Sequence, residues 1–184
     1  MKKVQPGNKK HSKNSTRHHL TLMCLSGIFS ALVFVVTAYL HVPTYNGYVH
    51  FGDGFIFLSA CILPMPYSLL VGAVGALLAD LLTGYAIWAP GSVIIKTLIA
   101  LLFTCRSEKI LSVRNILMIL PSAFITILGY YFYEAMITAN FIVPLAGMIG
   151  SAIQSVASGA VFIALGIAMD KFKFKRKFME IMRK

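Results

Sequence analysis

The feature that most constrains the fold is a succession of apolar stretches, several of which are long enough to cross a lipid bilayer. The first, Leu20 to Leu40, has about the twenty residues that a membrane-spanning helix needs. Hydrophobic residues make up 58% of the chain and charged residues only 12%, so a soluble domain of 184 residues would lack the polar surface to cover its core. The sequence therefore predicts an all-α integral membrane protein with one helical domain.

Prolines and polar breaks divide the apolar sequence into six predicted helices. Pro64 and Pro66 separate the second helix from the third, and Pro90 suits the first turn of the fourth. The predicted spans cover residues 20–40, about 54–63, 67–83, 90–105, 115–138 and 142–169. A cleaved signal peptide is the alternative interpretation of the first stretch. Its apolar core is long and no small-x-small cleavage site follows it, so we interpret it as a membrane span.

The positions of the basic residues predict how these helices are oriented. The net charge is +11 and, apart from Lys96, the lysines and arginines lie in residues 2–17, 106–114 and 171–184. If the N-terminal segment is inside, six spans put all three segments in the cytoplasm and leave the outer loops without Lys or Arg, as the positive-inside rule requires. Such segments suit anionic lipid headgroups, whereas nucleic-acid binding would need a folded basic surface.

These observations predict three parts. We expect a disordered basic cytoplasmic tail at residues 1–19, a six-helix membrane domain at 20–170 and a basic cytoplasmic C-terminal tail at 171–184. Both termini are then cytoplasmic. The first outer loop, about residues 41–54, contains a proline, three glycines and three aromatic residues, which indicates an ordered extracellular loop.

Charged and titratable residues lie in the apolar sequence between Gly47 and Lys96. They are His50, Asp53, Asp80 and Lys96 itself. A charged side chain near the middle of a bilayer costs about 2.5–3.5 kcal/mol on insertion scales, so it normally faces protein or a water-filled cavity. Asp80 and Lys96 form either a structural ion pair or part of a ligand site, and the sequence leaves both interpretations open.

Polar and aromatic residues also recur at helical spacing in the last three predicted helices. Tyr130, Tyr133 and Glu134 share one face of the fifth helix, and Gln154 belongs to a serine-rich face of the sixth. In the fourth, Lys96 lies below Tyr85 and Trp88. The residues of all three faces lie nearer the outer ends of their helices. This predicts an outward-opening pocket where aromatic rings stack on a flat ligand. Hydrogen bonding between packed helices is the alternative for the Ser, Thr and Gln side chains.

The predicted sites follow from these patterns. The candidate substrate-binding residues are His50, Asp53, Tyr85, Trp88, Lys96, Tyr130, Tyr133, Glu134 and Gln154. In the first helix, Gly27 and Ala31 form a small-xxx-small pair that lets another helix approach closely, either within the fold or from a partner subunit.

The sequence contains little that indicates a catalytic function. There is no nucleophile elbow, no His-Glu-x-x-His motif and no Walker loop, so we predict no catalytic residue, no cofactor and no ATP site. The three cysteines are scattered, which argues against both disulfides and a zinc site. A small integral membrane enzyme using Asp53, Asp80 or Glu134 is one alternative, and a purely structural membrane subunit is another.

The strings HFGDGFIFLSACILP and LLVGAVGALLADLLTGYAIWAPGSVIIK resemble the S components of energy-coupling factor (ECF) transporters. The resemblance covers about residues 20–169 and is most specific between His50 and Lys96. It implies a multi-pass subunit of a prokaryotic plasma membrane that captures a vitamin from outside. It also implies association with a transmembrane coupling subunit and two cytoplasmic ATPases, and toppling in the membrane to release the vitamin inside.

The resemblance also bears on the docking residues and the substrate. The family's first helix carries an Ala-x-x-x-Ala-like contact for the coupling subunit, which Gly27 and Ala31 match loosely. The subgroup that the chain most resembles includes carriers of pyridoxine, hydroxymethylpyrimidine and riboflavin. Because Glu134 and Lys96 suit a small heteroaromatic ring bearing hydroxyls, we expect a pyridoxine-like or hydroxymethylpyrimidine-like ligand, with riboflavin as a further candidate.

Overall fold

The computed structural model describes residues 7–44 and 47–182, and the side chains of residues 16–43 and 48–180. In chain order the elements are α1 (Gly7–Tyr39), β1 (His41–Thr44), β2 (Gly47–His50), α2 (Gly52–Ile62), α3 (Met65–Leu82), a 3-10 turn (Ala86–Trp88), α4 (Ala89–Leu102), α5 (Val113–Leu117), α6 (Ile119–Thr138), α7 (Leu145–Lys171) and α8 (Phe174–Met182). The predicted all-helical class is confirmed, with one short β-hairpin where an extracellular loop was expected.

Four helical stretches in the described residues are long and apolar enough to cross a membrane. They are Thr16–Tyr39, Met65–Leu82, Val113–Thr138 and Leu145–Lys171. Two further apolar helical stretches, Gly52–Ile62 and Ala86–Leu102, are shorter. The six apolar stretches correspond in order to the six predicted helices, and a complete crossing by the two short ones stays a prediction.

The short helix α2 is the central element of the bundle. Of its residues from Gly52 to Ile62, only Phe55 is not buried, and the helix packs against α1, α3, α4 and α7. An apolar helix of this length is typical of a buried core helix rather than a lipid-exposed span. At its inner face Phe57 stacks on Phe103 with ring centroids 4.4 Å apart and meets the edge of Phe162 at 5.9 Å. Burial on all sides therefore explains why α2 needs no polar face.

Close helix approach around α3 depends on two of its glycines. A Cβ added at Gly75 would lie 2.7 Å from Val33 Cγ1 of α1, and one at Gly72 would lie 2.9 Å from the carbonyl oxygen of Lys96 in α4. Real side chains do not approach so closely, so α3 can lie against both neighbours only because these residues lack a side chain. The second contact places the backbone of Lys96 at the centre of the bundle.

The hairpin β1–β2 closes one end of the bundle, which we call the hairpin end. Its antiparallel register pairs His41 with His50 and Val42 with Val49. It was expected as an ordered loop, but Val42, Thr44, Tyr48 and Val49 are β-branched or aromatic residues, which favour strands. Because residue 50 leads almost directly into α2, the hairpin is held beside the first turn of that helix.

The two predicted tails contain helix in the structure. Helix α1 begins at Gly7, within the stretch expected to be disordered, and α8 occupies most of the predicted C-terminal tail. No proline lies between Gly7 and Leu40, so a helix formed by the apolar stretch can extend through the polar one at little cost. Residues 1–6 and 183–184 of the two tails lie outside the described residues.

Buried polar groups organise the opposite end of the bundle, between α4 and α5. The Asn115 side chain donates hydrogen bonds to the carbonyl oxygens of Thr104 and Ile110 and accepts one from the Thr104 amide. The Asp170 carboxylate accepts the amides of Ile110 and Leu111 at 2.8 and 2.9 Å. These bonds satisfy backbone groups of an irregular connection that would otherwise be unpaired.

Candidate ligand-binding site

A cavity of about 550 Å³ lies at the hairpin end of the bundle. The hairpin, α1, α2, α3, α4, α6 and α7 all contribute to its wall. Its volume falls within the range of about 300–1,000 Å³ that is typical of small-molecule sites. Most of the wall is apolar and a few polar groups converge on it, which is the composition expected of a site for an organic ligand.

The cavity brings together seven of the nine residues that the sequence predicted for substrate binding. Those that line it are His50, Asp53, Trp88, Lys96, Tyr130, Glu134 and Gln154. Tyr85 and Tyr133 are not among the lining residues. They lie just behind the wall, where Tyr85 packs on Tyr48 with ring centroids 4.7 Å apart and the Tyr133 hydroxyl donates to the Ile87 carbonyl at 2.8 Å.

A buried ion pair between Lys96 and Asp53 forms the inner part of the cavity wall. Lys96 Nζ lies 2.8 Å from Oδ1 and 2.9 Å from Oδ2 of Asp53, and both side chains are only 2% exposed. Gln154 Nε2 donates a further hydrogen bond to Asp53 Oδ2 at 3.1 Å, and Lys96 Nζ lies 5.0 Å from the Tyr130 ring centroid. The pair thus joins α2, α4, α6 and α7 at one point, with each charge compensated.

The structure bears on the first of the two interpretations of Asp80 and Lys96 that the sequence left open, the structural ion pair. Among the described residues the ion-pair partner of Lys96 is Asp53, so the suggested structural pair with Asp80 is not formed. The reason is that Asp53 lies in the first turn of α2, directly against α4, whereas Asp80 lies at the end of α3 that faces the hairpin. Asp80 lines the cavity instead.

Asp80 holds the hairpin to the helical bundle. The Tyr48 hydroxyl donates to Asp80 Oδ1 at 2.5 Å, while Oδ2 is buried and has no hydrogen-bond partner among the described residues. Burial of the phenol, together with the neighbouring Asp80 carboxylate, raises the pKa of Tyr48 far above its usual range, so this hydroxyl keeps its proton and stays a donor. Asp80 thus lines the cavity with one oxygen bonded to the hairpin and the other a buried acceptor without a hydrogen bond among the described residues.

His50 is a neutral member of the cavity wall. Its Nδ1 accepts the Gly52 amide at 3.1 Å, which leaves the proton on Nε2. Burial lowers the pKa of His50 to about 3, since the favourable effect of Asp53 is too small to offset desolvation and Lys96 opposes protonation. The imidazole is therefore uncharged at physiological pH.

Aromatic rings and Glu134 form the outer part of the wall. The Trp88 ring meets the edge of Tyr130 with centroids 6.1 Å apart, and the Tyr130 hydroxyl lies 3.0 Å from Ser92 Oγ. Glu134 is buried against the start of α7, where a Cβ added at Gly147 would come within 2.9 Å of its Oε2. Aromatic rings, hydroxyls and a carboxylate along this part of the wall suit a flat ligand with polar edges.

Several wall residues were not singled out from the sequence. Thr37 in α1, Tyr48 in the hairpin and the turn of α7 around Gly150 all line the cavity. Thr37 is a polar residue within an apolar stretch, and Gly147, Gly150 and Ser151 precede Gln154 at helical spacing, so both signals were present in the sequence. Tyr48 carried no such signal, because its role depends on the hairpin register.

Comparison with known protein families identifies the chain. Residues 18–171 match the family of the ECF-type riboflavin transporter S component, which includes every residue that lines the cavity. This chain belongs to that family. It is thus a membrane protein of a vitamin transporter, and the resemblance found in the sequence is confirmed. A comparison with curated proteins finds no match.

The ion pair of this S component leads to a prediction about stability. Lys96→Met should lower the free energy of unfolding by about 3–5 kcal/mol, because it leaves the buried Asp53 carboxylate without a counter-charge. Asp53→Asn should also destabilise the protein, by leaving a buried ammonium. The double variant Lys96→Met/Asp53→Asn should lose much less than the sum of the two, since it leaves no buried charge. The free energies of unfolding of the two single variants and the double variant, measured on the purified proteins, give this double-mutant cycle. If the loss in the double variant equals the sum of the two single losses, the pairing is contradicted.

Proposed function

We propose that this chain is the substrate-binding subunit of an ECF-type transporter and that its ligand is riboflavin. The observation that carries the proposal is the cavity of about 550 Å³, lined by aromatic rings and convergent polar groups, in a chain of the riboflavin S component family. A volume of this size suits a drug-sized, three-ring vitamin with a polar side chain. The partners that the family implies are a transmembrane coupling subunit and two ATPase subunits, and the ATPases would supply the energy for transport, since the sequence contains no Walker loop.

The cavity volume supports riboflavin over the single-ring ligand expected from the sequence. That expectation rested on Glu134 and Lys96 as the partners of one small ring. Lys96 is occupied by Asp53, and a pyridoxine-sized molecule would leave much of the cavity to water. An apolar wall that the ligand does not cover contributes little to affinity. Riboflavin, which is larger than pyridoxine, therefore gains more binding free energy from the same cavity.

The ligand assignment leads to a binding prediction. The purified chain should bind riboflavin more tightly than pyridoxine or hydroxymethylpyrimidine, with quenching of Trp88, its single tryptophan. Trp88→Leu and Glu134→Gln should each weaken binding roughly fivefold to a hundredfold, because a lost stacking surface or polar partner costs about 1–3 kcal/mol. Calorimetry measures the dissociation constants.

The matched control for the Glu134 variant is Glu108→Gln. It removes the same charge from an exposed position outside the cavity and should leave riboflavin affinity unchanged. Tighter binding of pyridoxine than of riboflavin would restore the single-ring assignment within the same transporter role. If all three vitamins fail to bind at micromolar concentrations, the proposed ligand class is wrong.

We also propose that six helices cross the membrane with both termini in the cytoplasm. The support is the absence of Lys and Arg from the connections at the hairpin end, residues 41–51, 83–88 and 139–144, and their concentration at the other end around residues 106–114 and 171–180. A reporter fused after Lys184 should then be inaccessible to impermeant reagents in intact cells. External labelling of that reporter would contradict the six-span arrangement.

The small pair in α1 is proposed as the docking face for the coupling subunit. Gly27 and Ala31 both lie on the exposed side of α1, and a Cβ added at Gly27 meets no atom within 4 Å. Among the described residues, a side chain at Gly27 would therefore meet no packing neighbour, and Ala31 is exposed beside it. Small residues on a lipid-facing surface allow the backbone of another helix to approach closely.

This docking face makes a specific prediction. Gly27→Leu should weaken assembly with the coupling subunit, measured by co-purification, and should leave riboflavin affinity and thermal stability unchanged, because nothing in the fold contacts the new side chain. The control Gly27→Ala keeps a small residue and should assemble normally. If Gly27→Leu lost ligand binding and assembly together, the face would have a role in the fold instead.

A further inference from the structure

The indole of Trp88 lines the cavity from a short turn. Trp88 is the last residue of the 3-10 turn Ala86–Trp88 and directly precedes α4. Within this segment the Trp88 amide donates to the Tyr85 carbonyl at 2.8 Å. No residue of the turn is buried, and Ala86 and Ile87 are exposed. The orientation of the indole therefore depends on the side chains that reach the turn from other helices.

Tyr133 of α6 contacts the chain on both sides of Trp88. Its hydroxyl donates to the carbonyl oxygen of Ile87, one residue before the tryptophan, at 2.8 Å. Its ring lies over Gly91, three residues after the tryptophan, where an added Cβ would come within 2.5 Å of two ring carbons. Real side chains do not approach an aromatic ring so closely, so the Tyr133 ring fits there only because residue 91 is glycine.

Two rings of α6 also meet the indole itself. The Trp88 ring centroid lies 6.1 Å from that of Tyr130, at an interplanar angle of 60°, and 6.1 Å from that of Tyr133, at 50°. Both distances fall in the range of favourable contacts between aromatic rings. Tyr130 lines the cavity, whereas Tyr133 is not among its lining residues. A ligand in the cavity can therefore contact Trp88 and Tyr130, while Tyr133 supports the indole from behind.

We propose that Tyr133 is a positioning residue, which fixes the indole of Trp88 as a ligand-stacking surface without touching the ligand. The inference rests on the proposed function and replaces the direct substrate contact that the sequence predicted for Tyr133. A ring that is held in place before the ligand arrives loses little conformational freedom on binding, which favours affinity. The bond to Ile87 requires the hydroxyl, so a phenylalanine at this position would keep the ring and lose the attachment.

Tyr133→Phe tests the attachment in two measurements on the purified full-length chain. In the unliganded protein, the fluorescence anisotropy of Trp88, its single tryptophan, should fall, because the turn that carries the indole loses a hydrogen bond. The dissociation constant of riboflavin, measured by calorimetry, should rise roughly threefold to tenfold, the usual effect of one lost hydrogen bond. The matched control Tyr67→Phe removes a hydroxyl that lies 2.6 Å from His19 Nδ1 at the other end of the bundle, and it should change neither value.

A double-mutant cycle separates positioning from direct contact. In the background of Trp88→Leu, adding Tyr133→Phe should leave the dissociation constant of riboflavin unchanged, since the residue through which Tyr133 acts is absent. Gly91→Ala is the second variant if Tyr133→Phe does not fold. It keeps the hydroxyl but pushes the Tyr133 ring away from α4, so it should also lower the anisotropy of Trp88 and weaken riboflavin binding.

The outcomes distinguish this inference from the proposed function. If Tyr133→Phe weakens riboflavin binding equally with and without Trp88, Tyr133 acts independently of the indole and the inference is overturned, while the proposed function stands. An unchanged anisotropy of Trp88 in both Tyr133→Phe and Gly91→Ala also overturns it. If the wild-type chain binds no riboflavin, the proposed ligand is wrong, and the anisotropy of the unliganded variants still decides whether Tyr133 fixes the indole.

Discussion

The arrangement of the cavity depends on the buried ion pair between Lys96 and Asp53. Removing two charges from water is expensive, and only close geometry with further hydrogen bonds offsets that cost. Here both carboxylate oxygens lie within 2.9 Å of the ammonium, Gln154 donates to one of them, and the Tyr130 ring lies near the cation. Because these groups come from α2, α4, α6 and α7, the pair fixes how four helices meet at the cavity wall.

Electrostatics and topology act together at the hairpin end. Tyr48 attaches the hairpin to Asp80, and the neutral His50 connects it to the first turn of α2. The hairpin thus forms one wall of the cavity and is held there by these side-chain contacts and by the packing of β2 against α7.

Much of the site was visible in the sequence. The cost of placing charge in a membrane led directly to Asp53 and Lys96, and helical spacing added Tyr130, Glu134 and Gln154. The sequence did not show which charged residues form ion pairs with one another. Asp80 was the partner suggested for Lys96, because sequence separation says nothing about which helix faces which. In the structure the contact between α4 and the first turn of α2 makes Asp53 the partner instead.

The sequence by itself determined the class of protein, the approximate bounds of its six apolar stretches and its family, because hydropathy, proline positions and motif strings are local properties. Tertiary structure decided the rest. It showed that α2 is a buried central helix, that residues 41–50 pair as strands and that Gly27 lies on the outside of α1. It also left Tyr85 and Tyr133 behind the cavity wall. Each of these depends on which surfaces meet in space, and a linear pattern of residue types does not contain that information.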